Sequence, residues 1–121
     1  MVDIQDFYSA APIDAARLIP NQLFQTWKSS IFDDGHANLL REFRNHNPEI
    51  SFRFYDDKKM NSYMEEKWGN HPIFTVFSNT KVGAARADIW RYCILFDEGG
   101  IYLDIDSLIL FKLIEIPPQL S

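Results

Sequence analysis

Between Gly83 and Leu108 the sequence reads GAARADIWRYCILFDEGGIYLDIDSL, and this stretch constrains the fold more than any other. Apolar residues Ala85, Ile89, Tyr92 and Phe96 recur at three- and four-residue steps, the signature of a helix over Thr80–Glu98. Gly99-Gly100 stops that helix. The chain restarts as Ile101-Tyr102-Leu103-Asp104, a buried strand, with Ser107–Phe111 as a further strand or its continuation before Pro117-Pro118. If the strand keeps its alternation, Asp104 and Asp106 point the same way and Ile105 points into the core.

The rest of the chain supplies a sheet for this unit to join. Residues 1–19 read as a short helical lead, broken at Pro20-Asn21. Gln22–Trp27 reads as a first strand. Gly35–His46 reads as a helix with Leu39, Leu40 and Phe43 on its apolar side, stopped by Asn47-Pro48. Ile50–Tyr55 alternates Ile50, Phe52 and Phe54 against Ser51, Arg53 and Tyr55, a second strand. Asp56 or Asp57 caps the helix that follows, which carries Met60, Tyr63, Met64 and Trp68 on its apolar stripe. Residues 71–79 form a short helix or a loop opened by His71-Pro72. Strands alternating with helices define an α/β domain with a mostly parallel sheet. At 121 residues there is room for one domain, and 46% hydrophobic with 15% aromatic content gives it a core.

Charge and cysteine usage narrow the function. Twelve basic and seventeen acidic residues leave a net charge of −5, which argues against a nucleic-acid binder. A single cysteine, Cys93, excludes an intrachain disulfide and a cysteine-built zinc site; it reads as a small buried hydrophobe. His36, His46 and His71 show no metal-ligand spacing and take surface or capping roles. No apolar run approaches the ~18 residues of a membrane helix, and the first residues lack a secretory signal, so the expected location is cytoplasmic.

Two carboxylates at a strand end suit a magnesium-like cation, which takes one or two carboxylates plus substrate phosphates. Ligands of open α/β sheets collect at those strand ends. A D-x-D triplet alone is more often the mark of a solvated strand end; the helix, glycine pair and strand before it favour the site. Asp88 and Arg91 lie three apart on the helix and share a face. There they either make a surface ion pair or receive a sugar hydroxyl and a phosphate. Trp68 and Trp90 read as packing residues, and Arg86 as part of a solvated helix face. Asp97-Glu98 falls where the helix dipole disfavours acids.

The run A-D-I-W-R-Y-C-I-L-F-D-E-G-G-I-Y-L-D-I-D resembles the signature of the DXD-containing glycosyltransferases, a family that includes fungal α-1,6-mannosyltransferases, capsular-polysaccharide sugar transferases and the clostridial glucosylating toxins. Ile19-Pro20 through Gln25-Thr26-Trp27 is similar to the family's I-P-x-x-x-x-Q-x-W, and Asn47-Pro48 through Asp56-Asp57 to its N-P segment and acidic strand end. The resemblance spans residues 18–110. It implies a GT-A type fold, a Rossmann-like nucleotide-diphospho-sugar transferase sandwich, in a single domain over residues 1–121 that holds only the fold's N-terminal part. It implies manganese or magnesium at Asp106 with help from Asp104, bridging the donor diphosphate. Asp104 would also contact ribose or sugar hydroxyls, Asp88 and Arg91 the donor sugar, and Trp27 the nucleotide base.

The implied reaction is a retaining hexosyl transfer from a UDP-hexose or GDP-mannose to a glycan, lipid or protein, as in polysaccharide biosynthesis. Family members run on well past the D-x-D strand to build the acceptor site. The expectations therefore include a donor-binding remnant without turnover, and a homo-oligomer or a completing partner chain. A further alternative is a haloacid-dehalogenase-like phosphohydrolase, whose first motif I-Y-L-D-I-D-S-L resembles; Asp104 would be its nucleophile and Asp106 its acid/base.

Overall fold

The computed structural model describes residues 1–7 and 20–105. Within them the elements run β1 (Val2–Asp3), a 3-10 turn (Ile4–Phe7), β2 (Gln22–Thr26), β3 (Ile31–Phe32), α1 (Asp34–Asn45), β4 (Ser51–Tyr55), α2 (Asp57–Trp68), α3 (Pro72–Asn79), α4 (Gly83–Glu98) and β5 (Ile101–Tyr102). The main sheet has the order β4-β2-β5, and both pairings are parallel. Gln22 is level with Ser51, and Leu23 with Ile101. This is a mixed α/β architecture consistent with part of a GT-A-like fold.

Parallel strands need crossovers, and the helices provide them on opposite faces. On one face α1 buries Phe43 against Leu23, Ile50 and Phe52. On the other, α2, α3 and α4 gather Met60, Tyr63, Met64, Phe77, Trp90, Cys93 and Ile94 around Phe24 and Tyr55. Because both faces are covered, all five residues of β2 are buried, and the alternation seen along β4 separates two cores rather than core from solvent.

The turns follow local chemistry. The Asp33 side chain accepts from His36 N at 2.7 Å and starts α1; Asp56, not Asp57, accepts from Lys59 N at 2.8 Å and starts α2. Such a cap contributes about 1 kcal/mol. His71 caps α3 by accepting from Ile73 N at 3.0 Å. Gly99 (φ 72°) and Gly100 (φ 114°) turn the chain from α4 into β5, and a Cβ at Gly100 would sit 2.7 Å from the Gln22 carbonyl oxygen.

Some expectations change. Within the helical lead, Val2–Asp3 instead pairs antiparallel with β3, and the Asp3 side chain accepts from Gln5 N at 3.0 Å, which favours a tight turn. Residues 8–19 lie outside the described residues, as does the strand expected over Ser107–Phe111. Leu39 is exposed, and Ala37 takes its place in the core beside Leu40. Helix α4 starts at Gly83 because Thr80 ends α3, with its hydroxyl donating to Val76 O at 2.7 Å. Its buried face is Trp90, Cys93 and Ile94; Ala85, Tyr92 and Phe96 are exposed. β5 is half-buried and its ladder ends at Tyr102, with one more bond from Leu103 N to Phe24 O at 3.2 Å.

Candidate functional site

The carboxyl ends of β2, β4 and β5 open into one cavity of about 540 Å³. Its walls are Thr26, Trp27 and Lys28 after β2, Asp57 and Met60 on α2, Gly83, Ala84, Ala87 and Asp88 on α4, and Tyr102, Asp104 and Ile105 after β5. The chain leaves β2 for β4 on one side and returns to β5 on the other. Such a reversal of strand order is where doubly wound sheets bind ligands.

Three of the residues singled out from sequence meet here: Trp27, Asp88 and Asp104. Trp27 is 43% exposed, so its ring is free to receive a planar partner. Asp104 is exposed and Ile105 is buried among Ile4, Phe32, Ala37, Leu40 and Phe54, the inward–outward split expected of the pair. Asp106 lies outside the described residues. Arg91 stands beside the cavity, pairing with Asp88 at 3.2 Å and holding its guanidinium 5.2 Å from the Tyr102 ring centroid.

The electrostatics are mixed. Val82 opens α4 without a side-chain cap, and no acid occupies the first turn. The partial positive charge of that helix end therefore faces the cavity from Gly83 and Ala84. Lys28 adds a full positive charge; Asp57, Asp88 and Asp104 oppose it. Burial, then the charge of the Asp104 carboxylate, push the Tyr102 hydroxyl up to about 12, with Arg91 pulling the other way and Asp88 adding to the rise.

Among the described residues no group of three His, Cys, Asp or Glu side chains could hold a metal ion unaided. A hard cation that keeps its waters and binds substrate phosphates asks for less. An exposed carboxylate such as Asp104, across a cavity that also holds Lys28 and the uncapped amino end of α4, fits that donor set.

Lys28, Asp57, Gly83, Ala84 and Tyr102 join the site without having been singled out for it. Only their positions at strand and helix ends could have found them. Other residues settle into structural work. Arg86 lies 4.0 Å from the Phe77 ring centroid and donates to Phe77 O at 2.8 Å and Thr80 O at 3.2 Å, so it closes α3 rather than facing solvent. The acids ending α4 have partners: Tyr63 donates to Asp97 at 3.1 Å, and Arg53 pairs with Glu98. Cys93 is buried, which raises its thiol pKa. A second cavity of about 540 Å³, between Arg53, Lys59, Tyr63 and Asp97, lies against a different face of α2 and contains none of Trp27, Asp88, Arg91 and Asp104.

Comparison with known proteins defines the class. Residues 19–121 match the family model of the glycosyltransferase sugar-binding region containing a DXD motif. The chain belongs to that glycosyltransferase family. It is 28% identical over 116 residues to the initiation-specific alpha-1,6-mannosyltransferase of Saccharomyces cerevisiae, covering 91% of this chain and 24% of that protein. It is 28% identical to the Candida albicans enzyme of the same name, over 80% of this chain and 26% of that one. It is 29% identical to inositol phosphoceramide mannosyltransferase 3 of Schizosaccharomyces pombe, over 73% and 24%. The chain thus spans about a quarter of the length of these curated relatives. No solved structure matches it significantly.

Proposed function

We propose that the cavity is the donor site of a metal-dependent hexosyltransferase. The observation that carries this reading is the convergence of Trp27, Asp88 and Asp104, distant in sequence, on one cavity at the carboxyl ends of the parallel strands. In this reading a nucleoside-diphosphate hexose lays its base against Trp27 and its diphosphate toward Lys28 and the amino end of α4. Asp88 and Arg91 receive sugar hydroxyls. Asp104 and Asp106 hold manganese or magnesium, which would neutralise charge on the departing diphosphate, an effect worth several kcal/mol. The protein's part is to orient the donor as the anomeric carbon becomes oxocarbenium-like. Transfer with retention follows from the family resemblance, and no protein nucleophile is assigned. The mannosyl chemistry in the relatives' names makes a mannosyl donor the first to try, ahead of a UDP-hexose. The acceptor is a glycan, lipid or protein.

Calorimetric titration of GDP-mannose, UDP-glucose and UDP-galactose, each with manganese and with a chelator, tests the reading. One donor should bind only with metal, and Asp106→Ala should lose that binding while melting like the wild type. Equal affinity with and without Asp106 would falsify its metal role. Donor binding without transfer to any acceptor would define a donor-binding module lacking turnover.

A further inference from the structure

We infer, resting on the donor-site reading of the cavity, that Asp57 selects the donor's base: its carboxylate accepts two hydrogen bonds from a guanine and disfavours a uracil. The strand order gives the cavity two ends. Asp104 stands after β5 on one side of β2, and Asp57 after β4 on the other. Trp27 stands between them at the end of β2. The pairing of β2 with β4 continues to the last residues: Thr26 is level with Tyr55, and Trp27 N donates to Tyr55 O at 3.3 Å. This holds the start of α2, with Asp57 as its first residue, beside Trp27. A donor with its diphosphate toward Asp104 and its base on Trp27 turns the far edge of that base toward Asp57.

Asp57 is available for this task. Asp56 already caps α2 by accepting from Lys59 N at 2.8 Å, whereas Asp57 makes no hydrogen bond or ion pair among the described residues. Met60, three residues further along α2, is 3% exposed and also lines the cavity. Trp27 and Met60 thus give the slot apolar surface, and Asp57 gives it a charged rim. An ionised carboxylate only accepts hydrogen bonds. Guanine offers it two adjacent donors, N1–H and the 2-amino group, a bidentate match. Uracil offers a single N–H between two carbonyl oxygens, and those oxygens repel the carboxylate. A good bidentate pair discriminates against the wrong base by about 5–150-fold. As an acid in the first turn, Asp57 also suits the dipole of α2, a role that is blind to the base.

Calorimetry on the full chain in manganese, with GDP, inosine diphosphate, UDP and xanthosine diphosphate, supplies the test. The wild type should bind GDP at least about tenfold more tightly than UDP. Inosine diphosphate lacks the 2-amino group and should fall between them. Asp57→Asn should lose most of the preference for GDP and keep its UDP affinity within about twofold. It should also gain affinity for xanthosine diphosphate, whose carbonyl in place of the 2-amino group accepts from the new amide. A role confined to the helix would move all four nucleotides together. Asp57→Asn with the preference for GDP intact, or with all four weakened alike, overturns the inference. So does a wild type that binds inosine diphosphate as tightly as GDP, a comparison that needs no variant to fold. If the wild type binds none of the four with manganese, the donor-site reading falls first and takes this inference with it. If it binds GDP and UDP equally, the donor site stands and only this inference falls.

Discussion

Arg44 carries a charge into the core, and among the described residues no carboxylate pairs with it. It is 7% exposed, donates to Ile4 O at 2.9 Å and lies 5.5 Å from the Phe52 ring centroid, while its Nε has no partner among the described residues. Burial pulls its pKa down to about 10, a sign of how poorly the charge is solvated. Arg44→Met should therefore be neutral or stabilising by about 1 kcal/mol in chemical denaturation, the lost bond to Ile4 being offset by relief of the charge. A loss above about 2 kcal/mol would show that the guanidinium holds the N-terminal turn more strongly than it strains the core. Tyr63 and Tyr102 give a second residue-scale prediction. Burial raises both phenols above the ordinary tyrosine value of about 10, Tyr102 to about 12. The unfolded chain thus releases these protons first. The stability they contribute is complete below pH 10 and is lost as pH rises through the folded values, for Tyr102 toward 12. Urea midpoints should hold steady below pH 10 and fall above it, and Tyr102→Phe should lessen the fall.

At the scale of elements, α4 shows where sequence reading succeeds and where it fails. Its existence and its stop at Gly99-Gly100 were legible, because glycine pairs break helices and the apolar period is strong. Its buried face was legible only in part: Trp90 and Cys93 read as packed and are buried, but the apolar period also put Ala85, Tyr92 and Phe96 with them. The helix carries apolar residues nearly all round, so Ala85, Ile89, Tyr92 and Phe96 satisfy the helical period as well as Trp90, Cys93 and Ile94 do. Only the placement of the sheet and of α2 and α3 decides between them. Trp90→Ala should cost about 3–5 kcal/mol, whereas Phe96→Glu, at a position 84% exposed, should stay within about 0.5 kcal/mol. Equal losses in thermal melts would put the wrong face in the core. The turn after α4 has its own test. Gly100→Ala should destabilise by about 1–3 kcal/mol, since the new Cβ meets the Gln22 backbone and φ is positive. A neutral result would mean that β5 does not approach β2 this closely.

Across the whole molecule, β2, α1, β4 and α2 were readable to within a residue or two, because acidic caps and asparagine–proline breaks mark their ends. The strand order was not, since no local pattern says that β5 returns to the far side of β2. That return is what makes the site. It brings Asp104 beside Trp27, while the route through α4 brings Asp88. The motif residues were legible because their chemistry is concentrated in a short run. Lys28, Asp57 and Tyr102 were not, because a residue at a strand end carries no signature until the strands are aligned. The central claim is that the donor occupies this cavity and not the polar cavity on the other face of α2. Backbone amide NMR during titration of GDP-mannose with magnesium tests it most directly. Shifts should concentrate at Trp27, Lys28, Gly83–Asp88 and Tyr102–Asp104. Shifts centred instead on Arg53, Lys59 and Asp97, or no shifts with any nucleotide sugar, would contradict it.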